Sequence, residues 1–183
     1  MIPLERIATF EKVSLQQYLH DRMKPMSGRE VLGDERYDAL VQRFTEEWNN
    51  IVLPTRATAG SAGYDFHIPC DHSVFDDKLD HLNWPVCTGI RAKIRPGWVL
   101  MLFPRSGLGF KYGLRLANTV GIIDSDYYNA ENEGHIMAKM TSDRGVDLKA
   151  GDRFMQGIFV PFGITDEDVA FLKREGGMGS TGV

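Results

Sequence analysis

VCTGIRAKIRPGWVLMLF, residues 86–103, carries two short apolar runs, 86–94 and 98–103, parted by Pro96 and Gly97. Runs of this length bounded by turn residues are strand signals. The same texture extends outward: apolar runs at 51–53, 64–68, 114–116, 136–140 and 154–162 are separated by Gly, Pro, Asn and Asp. Many short strands at close spacing predict a β-sandwich or barrel rather than an α/β sheet. No internal repeat is visible.

Before Asn50 the pattern differs. A short run over 6–13 holds apolar Ile7, Phe10 and Val13. Ser14 then has the chemistry of a helix cap, with Gln17 at the capping-box position and Leu15, Tyr18 and Leu19 at helical spacing. The breaker cluster Lys24, Pro25, Met26, Ser27 and Gly28 ends that helix. A second helix is predicted from Asp34 to about Trp48, where Tyr37, Leu40, Val41, Phe44 and Trp48 mark one buried face. Neither segment holds a catalytic cluster, so a helical appendage packed on the domain or on a neighbour is expected. At the other end, Gly176, Gly177, Gly179 and Gly182 accompany Ser180 and Thr181. Such a tail builds no core and serves as a linker, a disordered end or a lid that orders on a ligand. The chain thus divides into an N-terminal strand and helical appendage (1–49), a β domain (50–172) and a Gly-rich lid (173–183).

Composition narrows the function classes. In 183 residues, 43% are apolar, 25% are charged and the formal net charge is −4. Nothing general there favours nucleic acid or an anionic membrane, so any polyanion must meet locally concentrated positive charge. Cys70 and Cys87 lie far apart without CxxC spacing, which argues against a disulfide scaffold or zinc site and suits a reducing compartment. The first twenty residues mix Glu, Arg and Lys among apolar ones, unlike a signal peptide, and no apolar run nears the roughly 20 residues of a membrane helix. The expectation is a soluble, cytoplasmic protein.

Five segments could carry chemistry. In 121–127, Asp124 follows an apolar run, where a strand end can hold a base rigidly against a water aimed at phosphorus; an Asp-rich turn satisfying its own backbone is the plain alternative. In 104–109, Arg105 offers a charged fork, Ser106 a hydroxyl and Gly107 close backbone approach to an anion. The tail adds backbone amides, hydroxyls and Arg174. Residues 58–65 run small side chains into a strand bearing Asp65, and 151–156 form a turn entering an apolar strand. Each alone is ordinary turn chemistry.

In this order the five resemble the motifs of the homotrimeric dUTP diphosphatase (dUTPase) family: SAGYD at 61–65, PRSGLG at 104–109, NTVGIIDSDY at 118–127, GDRFMQ at 151–156 and GGMGSTG at 176–182. The resemblance covers the chain from about Asn50 onward. It implies an all-β, jelly-roll-like barrel, here with an added N-terminal helical segment, and three chains building three sites. It implies hydrolysis of dUTP to dUMP and pyrophosphate. Asp124 would be the base for a water attacking the α-phosphorus. Tyr127 would stack on the deoxyribose and exclude a 2′-hydroxyl, and the hairpin from Asn118 to Gly121 would read uracil. Arg105, Ser106 and Gly107 would hold phosphates, Gln156 would contact the α-phosphate region, and Asp65 and Arg153 would act behind them. From the tail, Arg174, helped by Lys173, would clamp the γ-phosphate with Ser180 and Thr181. Mg²⁺ would ride on the triphosphate and water, with no direct protein ligand assigned.

Three departures mark this chain. Met178 stands where the family usually has the Phe that stacks over uracil. The loop 128–133 is longer, as in variants from Gram-positive bacteria and their phages, and its Glu133, with the His135 that follows Gly134, reads as a solvated turn. Residues 14–48 have no counterpart in the compact family core and offer a surface for the trimer or a protein partner. Two rivals follow: dCTP deaminase, which shares the fold but needs a base suited to C4 of cytosine, and a regulatory module that sequesters a repressor.

Overall fold

The structure is a computed structural model that describes residues 4–25, 29–75, 78–79 and 83–170. Its centre is a five-stranded antiparallel sheet. In spatial order it holds β2 (Thr55–Arg56), β3 (Tyr64–His67), β13 (Arg153–Pro161), β7 (Trp98–Pro104) and β9 (Gly121–Ile123). Two-stranded ladders surround it: β1 (Ala8–Lys12) with β6 (Ile90–Ile94), β4 (His72–Val74) with β12 (Val146–Leu148), β5 (Val86–Cys87) with β10 (Met137–Ala138), and β8 (Arg115–Leu116) with β11 (Met140–Thr141). Four α-helices, α1 (Leu15–Met23), α2 (Arg29–Leu32), α3 (Asp34–Asn49) and α4 (Ser106–Tyr112), and a 3₁₀ turn at Ser125–Asn129 are also among the described elements. The fold is mostly β with a few helices. Among the described residues the ladders do not join into a closed barrel.

The sheet's register explains its core. Along β7, Leu100 and Leu102 point inward beside Ile123 of β9, and all three are buried. A bulge between Arg153 and Met155 lets consecutive Phe154 and Met155 both be buried, which regular alternation forbids. Phe10 of β1 closes the inner face against Tyr64, Phe66 and Phe159, with ring centroids 5.4 to 5.6 Å away.

Two predicted runs divide, and one is not a strand. The 86–94 run breaks at Thr88 and Gly89, because the Thr88 hydroxyl donates to Ile136 O (2.6 Å) and Gly89 takes φ +70°. A Cβ on Gly89 would meet Ile51 Cδ1 at 2.1 Å, so the 51–53 run serves as a buried plug at Ile51 rather than a strand. The 136–140 run splits into β10 and β11.

The helical appendage is bound tightly to the β domain. Ser14 caps α1 by accepting from Gln17 N (3.1 Å), as its sequence predicts. The Gln17 side chain does not return the bond; it donates to Asp21 Oδ2 (2.8 Å) instead. Glu133 replaces it, accepting from Ser14 N (2.7 Å) and Ser14 Oγ (2.6 Å), a carboxylate placed where the helix dipole favours one. The solvated turn expected at Glu133 and His135 is therefore corrected. Gly134, at φ +70° and with room for no Cβ against Tyr127 O, turns the chain inward, and His135 is fully buried with Nδ1 2.6 Å from Asp21 Oδ2. Arg22 pairs with Glu47 of α3 (2.9 Å) and lies over the Phe44 ring, while Trp48 Nε1 donates to Val13 O (2.9 Å).

Burial pushes the Asp21 carboxyl up, but the hydrogen bonds from His135 and Gln17 outweigh it and hold the group below its ordinary value of 3.8. A carboxylate depressed in the folded state stabilises above its unfolded pKa, near 4, and loses that stabilisation as pH falls through the lower folded value. Wild type should therefore exceed Asp21→Asn in melting temperature at pH 6, with the gap closing below about pH 4. Thermal melts across that range check this, and a gap that widens on acidification would refute it.

Candidate active site

The sequence-predicted residues fall into two groups at opposite ends of β7. At the C-terminal end, Asp65 on β3 is cross-strand from Gln156 on β13, which is opposite Phe103 on β7. Arg105 leaves β7 in extended conformation, and its Nε lies 3.6 Å from Asp65 Oδ1. Arg153 Nη1 donates to Asp65 Oδ2 at 3.2 Å. One buried carboxylate thus orients two part-exposed guanidiniums. Burial lowers the pKa of neighbouring His67, an effect that Arg153 and Arg105 reinforce and Asp65 opposes. With His67 neutral, these groups keep a net positive charge, which suits an anion. Gly63 clears the way for Gln156, whose Oε1 would lie 2.7 Å from a Cβ there. Ser106 and Gly107 open α4 and are exposed. Nothing lies within 4 Å of a Cβ built on Gly107, so no packing within the described residues demands a glycine there.

At the other end, Asp124 follows β9 and precedes a 3₁₀ turn, Ser125–Asn129. Tyr127 comes off that turn, 3% exposed, with its hydroxyl donating to His135 O at 2.9 Å. The hairpin before β9 lies toward the Arg105 end, since Gly121 is opposite Leu102, and it is tight: Thr119 has φ +68° and Val120 N donates to Asn118 O (2.7 Å), the i to i+2 bond of a γ-turn. Gly121 packs on Leu102, 3.1 Å from the position of a Cβ.

The two groups are far apart within one chain. The β7–β9 register, with Leu100 opposite Ile123, brings Asp124 level with Val99. Arg105 lies six residues further along an extended chain, roughly 20 Å at about 3.3 Å per residue. Arg174, Lys173, Met178, Ser180 and Thr181 lie outside the described residues. Among the described residues no group of three His, Cys, Asp or Glu could hold a metal ion, and no helix is long and apolar enough to cross a membrane.

The family model for dUTPase matches residues 49–182, spanning both groups and the tail. The chain belongs to the dUTPase family. It is 40% identical over 137 residues to a deoxyuridine 5′-triphosphate nucleotidohydrolase of Lactococcus lactis, covering 72% of this chain and 89% of that protein. A protein of the same name from Escherichia coli O9:H4 is 40% identical over 139 residues, covering 71% and 87%. The crystal structure of dUTPase from Streptococcus mutans superposes with TM-score 0.54 at 43% identity, covering 62% of this chain and 88% of that one. A mutant of Staphylococcus bacteriophage 80alpha dUTPase with dUpNHpp shares the fold at TM-score 0.55 and 18% identity, covering 66% of this chain and 90% of that one. The family match leaves α1, α2 and nearly all of α3 outside it.

Sequence reasoning missed Asp21 and misread His135. The one local signal was Gly134 ahead of an apolar strand; the partner that explains His135 lies 114 residues away.

Proposed function

We propose that the chain hydrolyses dUTP to dUMP and pyrophosphate. The observation that carries this is Asp124 at the end of β9, just ahead of Tyr127 and with a strained hairpin at the start of the same strand, in a chain matched by the dUTPase family. Asp124 takes a proton from the water that attacks the α-phosphorus, a role supported by its fixed position at a strand end. Tyr127 packs against the deoxyribose, leaving no room for a 2′-hydroxyl. Backbone groups of Asn118 to Gly121 pair with uracil and leave polar groups unpaired against cytosine. Arg105, Ser106, Gly107 and Gln156 hold the phosphates, with Asp65 fixing the guanidiniums of Arg105 and of Arg153 behind it. Arg174, with Lys173, Ser180 and Thr181, closes on the γ-phosphate, and Met178 covers the base.

Mg²⁺, when bound, neutralises the triphosphate and the leaving pyrophosphate. Asp65 is already engaged by two arginines, and the described donor set offers no cage. That fits a cation carried by phosphate and water oxygens, as Mg²⁺ tolerates.

The working unit we propose is a homotrimer, with each site shared between chains. The separation of Asp124 from Arg105 supports it. So does the outer face of the sheet, where Val99, Met101, Phe103, Ile122, Ile158 and Val160 form an incompletely buried apolar strip, Ile122 being 52% exposed. Residues 14–48 remain a candidate surface for a protein partner, and the cytoplasm the proposed location.

Pyrophosphate release from dUTP, dCTP, dTTP and UTP with Mg²⁺ tests the reading: turnover of dUTP alone supports it, and turnover of none refutes it. The hairpin adds a sharper check. A β-branched residue at φ +68° stores about 1–3 kcal/mol. Thr119→Gly should raise the melting temperature by about 2–4 °C per kcal/mol relieved while raising KM for dUTP several-fold, because a looser hairpin must be ordered on binding. Calorimetry and initial rates measure both.

A further inference from the structure

Resting on the dUTP reading, we infer that Asp21 and His135 are positioning residues for sugar discrimination, through which helix α1 fixes the Tyr127 ring. The chain of contacts is continuous. Gly89 N–H donates to His135 Nε2 at 2.8 Å, so that nitrogen carries the lone pair. The proton therefore sits on Nδ1 and points at Asp21 Oδ2, 2.6 Å away. The imidazole is locked between α1 and the turn at Gly89, in the neutral Nδ1–H form. Its own backbone carbonyl accepts the Tyr127 hydroxyl at 2.9 Å, and Asn132 Nδ2 donates to that same hydroxyl at 2.8 Å. Gly134 leaves no slack, since a Cβ there would meet Tyr127 O at 2.6 Å. Glu133, two residues before His135, holds the N-terminus of α1 through Ser14. The loop after Tyr127 is thus clamped at Glu133 and at His135 by one helix that the family match does not include.

On the dUTP reading the Tyr127 ring excludes a 2′-hydroxyl by its bulk, so the position of the ring sets the preference. If α1 sets that position through His135, loosening the anchor admits ribose before it harms the reaction on deoxyribose. A merely structural anchor would lower stability and leave the preference alone.

The test uses two substitutions of similar shape. Asp21→Leu removes the acceptor for His135 Nδ1–H, and Asp21→Asn keeps an oxygen in its place. Wild type is assayed first, because no dUTP turnover sinks the dUTP reading and this inference with it. With an active wild type, Asp21→Leu should raise the ratio of UTP to dUTP kcat/KM about tenfold, and Asp21→Asn should restore the wild-type ratio. An unchanged ratio in a folded Asp21→Leu, whatever its melting temperature, overturns the inference and leaves the dUTP reading standing. Should Asp21→Leu not fold, the wild type still leaves the inference open to refutation. Long-range nitrogen–proton NMR of its labelled histidines should show His135 as the Nδ1–H form with a hydrogen-bonded proton, and the Nε2–H form would overturn the inference.

Discussion

Asp124→Asn should lower kcat for dUTP by about a thousandfold or more while leaving KM within a few-fold of wild type. General-base assistance is worth roughly 10²–10⁴, and an amide of the same shape cannot take the proton. The backbone role of the residue is unaffected, because it is the Asp124 carbonyl that accepts from Tyr127 N, at 3.2 Å. Asparagine has the same shape and removes no packing, so the melting temperature should move by only about 1–2 °C. A fall in kcat with KM preserved identifies a contribution made in the transition state. Retention of more than a tenth of the activity in the purified variant would take the base away from Asp124 and reopen the rival deaminase and binding-module readings.

How much of this could be read from the chain varies with the range of the forces involved. The runs behind β7 and β13 are legible because a continuous apolar stretch between turn residues has few other fates. Helix α1 is legible from Ser14, whose side chain satisfies an amide three residues on. The two-residue ladders of β5, β8, β10 and β11 are not, since so short a pairing depends on where distant segments come to rest. Asp124 and Arg105 could be named from their segments, but their separation could not, because the β7–β9 register is a tertiary fact. His135 is the clearest failure. A histidine beside glutamate and glycine looks like a solvated turn until Asp21, on a helix far away in sequence, supplies the partner that makes its burial tolerable.

Mixing two inactive variants should restore activity. Asp124→Asn lacks the base and Arg105→Gln lacks a phosphate-holding guanidinium, so each alone should be reduced by at least about a hundredfold. In one chain these residues are roughly 20 Å apart along β7, whereas the attacking water must lie about 3–3.5 Å from the phosphorus whose phosphate chain the arginine holds. Arg105 is turned to Asp65 on the far side of that gap, so on the proposed trimer reading the two meet across a chain boundary. In a cyclic assembly a site then draws Asp124 from one chain and Arg105 from its neighbour. After co-expression or refolding together in equal amounts, about a quarter of sites combine both intact residues, and activity should recover to about a quarter of wild type. Sites built within single chains would recover nothing, because every chain in the mixture carries one defect. Recovery also requires that the chains exchange, which size-exclusion chromatography of a tagged and an untagged variant verifies. Co-purifying hybrids with no regained pyrophosphate release would show that Asp124 and Arg105 serve the same chain, and that the extended path between them closes in a way the β7–β9 ladder forbids.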